Sequence, residues 1–101
     1  LVADLGLEWE QRLGLPLPLG SIVAARHLGE DIAVEFEALL RRSIEYAFMH
    51  PDRSREFVKS HAQELDDDVI DRHISLFVND FSLSLGDEGR SAVRELTGIS
   101  I

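Results

Sequence analysis

The stretch Gly14-Leu15-Pro16-Leu17-Pro18-Leu19-Gly20, continued by Ser21-Ile22-Val23-Ala24-Ala25-Arg26, decides how the rest of the chain is read. A proline disfavours the α region for the residue before it, so Leu15 and Leu17 are pushed to extended geometry. Extended backbone repeats every two residues, which puts the leucines on one side and the prolines on the other. Neither Pro16 nor Pro18 can donate a backbone hydrogen bond, so the stretch is not the middle of a central strand. It is expected to be a stiff extended segment that enters a strand over residues 21–25. Nearly everything after it reads as helix.

On the N-terminal side, Leu1-Val2-Ala3 is a short apolar run suited to the end of a strand. Asp4 fits a helix N-cap, and Glu8 and Glu10 suit the positive end of the helix dipole. Leu5, Trp9 and Leu13 form one apolar stripe over a short helix that Gly14 ends. On the C-terminal side, Gly29-Glu30-Asp31 opens a long helix over 30–49. Ile32, Ala33, Phe36, Leu39, Leu40, Ser43, Ile44, Ala47 and Phe48 make its wide apolar face. His50-Pro51 stops that helix, and Pro51 and Asp52 fit the first positions of the next. The second helix is expected to reach about Glu64, with Phe57, Val58, His61, Ala62 and Leu65 turned inward. Asp66-Asp67-Asp68 starts a third, carrying Val69, Ile70, His73, Ile74, Phe77 and Val78 at helical spacing. From Asn79 the period changes: Phe81, Leu83 and Leu85 alternate with Asp80, Ser82 and Ser84, which predicts an extended segment. Gly86-Asp87-Glu88 begins a last helix, with Ala92, Val93 and Leu96 inward and Thr97-Gly98 ending it.

The chain has 101 residues, 45% of them hydrophobic and 29% charged, enough for one core and too few for two full domains. Nineteen acidic residues stand against 10 basic ones, a net charge of −9. Such a field repels phosphate backbones, so neither a nucleic acid nor an anionic membrane is expected as a partner. The absence of cysteine excludes a disulfide framework, a thiolate metal site and a cysteine nucleophile, and suits a cytoplasmic protein. The longest apolar run, over 13–25, is too short to span a bilayer. The first residue is Leu1 rather than methionine, which suggests a piece of a longer polypeptide.

No catalytic constellation stands out. Histidine is the side chain most often used for proton transfer and metal binding, but no metal-ligand spacing joins His27, His50, His61 and His73. Each is better explained as capping a carbonyl or packing at a core edge, and His50 at a helix C-terminus suits the dipole. The run Asp66–Asp68 lacks the glycine and the closing glutamate of a calcium loop and reads as a helix start. No serine lies in a nucleophile elbow, and Gly86-Asp87-Glu88-Gly89 lacks the lysine of a phosphate loop. The aromatic stripe Phe36, Phe48, Phe57, Phe77 and Phe81 is most simply core. A metal site is not expected.

Two groups of residues taken together carry a resemblance. The first runs from Asp4-Leu5-Gly6 through Trp9 into Gly14–Gly20 and on to Arg26. The second is His61-Ala62-Gln63-Glu64, then Val78-Asn79-Asp80-Phe81-Ser82-Leu83 and Leu85-Gly86-Asp87-Glu88-Gly89-Arg90. In that order they resemble the C-terminal part of the 1,4-dihydroxy-6-naphthoate synthase family, which serves the futalosine route to menaquinone. The likeness covers nearly the whole chain.

The resemblance implies a bilobal α/β fold like that of type II periplasmic binding proteins, of which this chain is a mostly α-helical portion with one strand near 17–26. Residues 1–14 would end the second lobe, 15–26 would be a strand crossing between lobes, and 27–101 would be C-terminal helices. It also implies a lyase without cofactor or metal, acting on cyclic dehypoxanthinylfutalosine. The family's proposed base is a histidine upstream of the match to Leu1, so no catalytic residue is assigned here and the remainder of the polypeptide is the expected partner. Pro16, Leu17, Pro18 and Leu19 are expected to line the cleft and form part of its hinge, with plain strand packing as the other reading. Asn79 is a further substrate-binding candidate, alongside its reading as a helix C-cap. Rival assignments are chorismate dehydratase of the same pathway, a non-catalytic solute-binding protein and a free-standing helical interaction module.

Overall fold

Helix caps set the element boundaries. In the computed structural model, which describes residues 2–63 and 66–101, Asp4 accepts a hydrogen bond from Leu7 N at 3.1 Å and starts α1 (Leu5–Leu13). Gly14 ends it in the left-handed region, φ 63°, with its N–H on Glu10 O at 2.8 Å. Only glycine adopts that conformation without penalty. A single 3₁₀ turn (Arg26–Leu28) leads into α2 (Glu30–Met49), whose first turn carries Glu30 and Asp31 at the positive end of the dipole. His50 caps α2 through its N–H to Tyr46 O, and α3 (Pro51–His61) begins at the next residue. Asp66 Oδ1 accepts from Asp68 N and Val69 N and starts α4 (Asp67–Phe77). A one-turn helix, α5 (Asp80–Leu83), precedes α6 (Gly86–Thr97), which ends at left-handed Gly98.

The chain divides into two units, Leu1–Val23 with Leu85–Ile101, and Ala24–Ser84. The first holds α1, the Leu-Pro segment and α6. Within it α6 buries Gly89 and Ala92, the latter 1% exposed, on a face of small residues. In the second unit α2 packs against the 3₁₀ turn, α3 and α5. Ile70 of α4, 4% exposed, is its one buried apolar side chain among the described residues.

Three expectations change. No strand forms over residues 21–25; the stretch 15–25 carries no regular structure, and Ile22 and Val23 are 69% and 85% exposed. A strand needs a neighbour for its alternating N–H and C=O groups, and none of the described residues supplies one. The fold among the described residues is therefore helical, without the strand expected near 17–26. The extended segment expected over 81–85 is instead helical through Leu83, as α5, and only Ser84 after it is extended. Asn79 and Ser82 satisfy each other's backbone N–H in a capping box, which outweighs the period of two in the apolar residues. The phenylalanines 36, 48, 57, 77 and 81 are exposed rather than core. Ala33, Leu40 and Ile44 on one flank of the apolar arc of α2 are half-buried, while Ile32, Phe36, Leu39 and Tyr46 on the other flank are open. The arc is wider than the elements packed on it. The expectations for Leu1, Glu64 and Leu65 lie outside the described residues.

Charge joins α3 to α4. Lys59 Nζ donates to Asp67 Oδ1 at 2.7 Å, and Arg55 Nη1 lies 2.8 Å from Asp71 Oδ1 and 3.6 Å from Asp67 Oδ1. Arg55 Nη1 is out of solvent, and its close approach to Asp71, aided by the charges of Asp71 and Asp67 and opposed by desolvation, holds the guanidinium more firmly protonated than usual. The hydrogen bond from Lys59 holds the Asp67 carboxyl below its ordinary value; desolvation opposes this, and the charges of Lys59 and Arg55 add to the lowering. A carboxylate with a depressed folded-state pKa stabilises the fold above its unfolded value and loses that contribution as pH falls through the folded value. Urea midpoints of wild type and Asp67→Asn should therefore differ at neutral pH, wild type being higher. The gap should narrow as the pH drops below 3.8. At Ile70, truncation to alanine should destabilise the chain by about 2–5 kcal/mol, read from the same denaturation curves.

Candidate functional site

The Leu-Pro segment folds back on α1. Left-handed Gly14 reverses the chain, and Trp9 Nε1 then donates to Pro16 O at 3.0 Å in a part-buried hydrogen bond. One residue on, Leu17 lies over the first turn of the helix, where a Cβ added to Gly6 would stand 3.9 Å from Leu17 Cδ2. The two contacts step from Trp9 back to Gly6, so the segment runs antiparallel to α1. Leu15, Pro16, Leu17 and Pro18 are half-buried as a result, and Leu19 emerges 67% exposed. The sequence put Trp9 only in an apolar stripe. The signal for its second role was a tryptophan five residues before a glycine cap, followed by prolines whose carbonyls lack a helical partner.

The candidate residues Pro16, Leu17, Pro18 and Leu19 are thus consecutive in the first unit, whereas Asn79 belongs to the second. Asn79 serves two helix ends. Its Oδ1 accepts from Phe81 N at 3.0 Å, its Nδ2 donates to Leu76 O at 3.2 Å, and its N–H donates to Ser82 Oγ at 3.1 Å. The amide ties the C-terminal carbonyls of α4 to the start of α5, so a C-terminal cap is part of its role. Ser75, Val78, Asp80 and Phe81 line an open groove of about 330 Å³ beside it. A larger groove, about 740 Å³, runs along the C-terminal half of α2 between Leu39, Ser43, Tyr46, Phe48 and Met49.

Three histidines lie against aromatic rings four residues away, His50 and His61 following their ring and His73 preceding it. His50 meets Tyr46 and His61 meets Phe57, each at 4.4 Å between centroids, and His73 meets Phe77 at 4.7 Å. His61 Nδ1 also lies 3.0 Å from Phe57 O and 2.8 Å from Ser60 Oγ. A carbonyl only accepts, so Nδ1 carries the proton, and the Ser60 hydroxyl itself donates to Phe57 O at 2.7 Å. This pair does not activate the serine. No group of three or more His, Asp or Glu residues able to hold a metal occurs among the described residues. No described helix is long and apolar enough to cross a membrane.

Substituting Asn79 separates its two roles. Asn79→Ala should lose about 1 kcal/mol of stability. Asn79→Asp keeps an acceptor for Phe81 N but not the donor to Leu76 O, and chemical denaturation should place it between wild type and alanine.

Comparison with known proteins follows the same residues. A curated relative from Thermus thermophilus, named 1,4-dihydroxy-6-naphtoate synthase, is 50% identical over 95 residues, which is 94% of this chain and 35% of that protein. A second of the same name, from Streptomyces coelicolor, is 44% identical over 95 residues, 94% of this chain and 34% of its own length. The chain thus spans about a third of the curated relatives it matches. The family described as menaquinone biosynthesis matches residues 1–100. With that match running from the cap of α1 through α6, the chain belongs to the menaquinone biosynthesis family.

Proposed function

We propose that the protein carrying this chain is a lyase that converts cyclic dehypoxanthinylfutalosine to 1,4-dihydroxy-6-naphthoate in the cytoplasm, without cofactor or metal. The observation that carries this reading is the 50% identity to a relative of that name over nearly the whole chain. In this reading the full protein is a bilobal α/β enzyme, and the chain supplies cleft wall and hinge. Residues 1–14 end the second lobe, 15–26 cross between lobes, and 27–101 form the C-terminal helices. Pro16, Leu17, Pro18 and Leu19 line the cleft, and Asn79 is a further contact. The open flank of α2, with Ile32, Phe36, Leu39 and Tyr46, is covered by the remainder of the polypeptide, since an apolar surface of that kind marks a contact.

The general base lies elsewhere. His50, His61 and His73 each lie tilted against an aromatic ring four residues away, and His27 sits in the 3₁₀ turn. With the full-length protein, incubation with cyclic dehypoxanthinylfutalosine should release the naphthoate, detected by chromatography, and chorismate should be left unchanged. Replacing His27, His50, His61 or His73 by glutamine should leave kcat near that of wild type, whereas loss of a general base costs about 10²–10⁴-fold. A folded full-length protein that releases no naphthoate refutes the assignment.

A further inference from the structure

We propose that Trp9 is a positioning residue whose indole N–H, bonded to the Pro16 carbonyl, aims the Leu-Pro segment so that Leu19 faces the ligand. The proposal rests on the reading above that this segment lines the substrate cleft. The bond from Trp9 Nε1 to Pro16 O is the only hydrogen bond made by residues 15–24 among those described. Pro16 and Pro18 have no N–H to offer, and no neighbouring strand pairs with the rest. A segment this poor in backbone bonds would ordinarily wander.

Its stiffness changes what one bond can do. The rings of Pro16 and Pro18 fix φ near −65°, and Leu15 and Leu17 are confined to extended geometry by the prolines after them. Orienting the Pro16 carbonyl therefore sets the direction of the next few residues as well. Leu17 over Gly6 provides a second point of contact 3.9 Å from where a Cβ would stand. Two points and a stiff rod define a line. Along that line Leu15 to Pro18 stay half-buried, and Leu19 is the first side chain to stand clear, 67% exposed. Trp9 acts through Leu19, and no contact of the indole with the ligand is invoked.

The test uses the full-length enzyme with Trp9→Phe, and with Trp9 replaced by benzothienylalanine, which puts sulfur where Nε1–H stands and keeps the ring's shape. Backbone order parameters of Leu17 and Leu19 should fall from near 0.85 toward about 0.6 in both. KM should rise about fivefold to tenfold, the worth of one part-buried hydrogen bond, while kcat stays within about twofold. Unchanged order parameters in the sulfur variant overturn the lock. A loosened segment with unchanged KM overturns the positioning role. An inactive wild-type enzyme instead overturns the functional reading and the ligand-facing half of the proposal, while the order parameters still decide the lock.

Discussion

A helix leaves four N–H groups unpaired at its start and four carbonyls at its end, and meeting that demand shapes this chain. Asp4 and Asp66 cover N-terminal amides with carboxylate oxygens, and Gly14 and Gly98 turn left-handed to close C-terminal carbonyls. Thr97 adds its hydroxyl, which donates to Val93 O at 2.7 Å and accepts from Ile99 N at 3.1 Å. Asn79 covers both kinds of end at once. These contacts are local, each within four residues, and they place the elements although only Ile70 and Ala92 among the described apolar side chains are buried. Burial is the larger stabilising effect in most domains. Here it is thin on the described residues, so the ends of helices carry an unusual share of the definition.

That balance explains which parts of the fold were legible in the sequence. Caps are decided by residues a turn apart, and Asp4, Gly14, Pro51, Asp66 and Gly98 all mark boundaries where they were expected. The strand over 21–25 was not legible, because a strand exists only with a neighbour and β-branched Ile22 and Val23 say nothing of one. The alternation of Phe81, Leu83 and Leu85 misled for a different reason. Periodicity over five residues is weak evidence beside a reciprocal pair such as Asn79 and Ser82. The phenylalanines were misjudged because apolar spacing reports a face, and what covers the face is not written in that helix.

The site divides in the same way. The Leu-Pro segment announced its stiffness, since prolines restrict their neighbours wherever they stand. Its path over α1 did not, because that depends on Gly14 reversing the chain and bringing Pro16 to Trp9, seven residues away. Three of the four histidines prove to lie against an aromatic ring four residues away. Four titratable imidazoles on one short chain invite a metal or catalytic reading, and i, i+4 aromatic neighbours offer a plainer use.

The junction of α2 and α3 has a mechanical side. One residue, His50, separates the two helices, and Pro51 follows at once with its φ fixed by the ring. The His50 N–H holds Tyr46 O, its carbonyl accepts from Arg53 N at 3.0 Å, and its ring lies on Tyr46. The twenty residues of α2 and the eleven of α3 are thus two arms that meet at a single residue, with both backbone groups of His50 engaged. Inserting even one residue there would disconnect the two arms without removing any of the contacts along either helix.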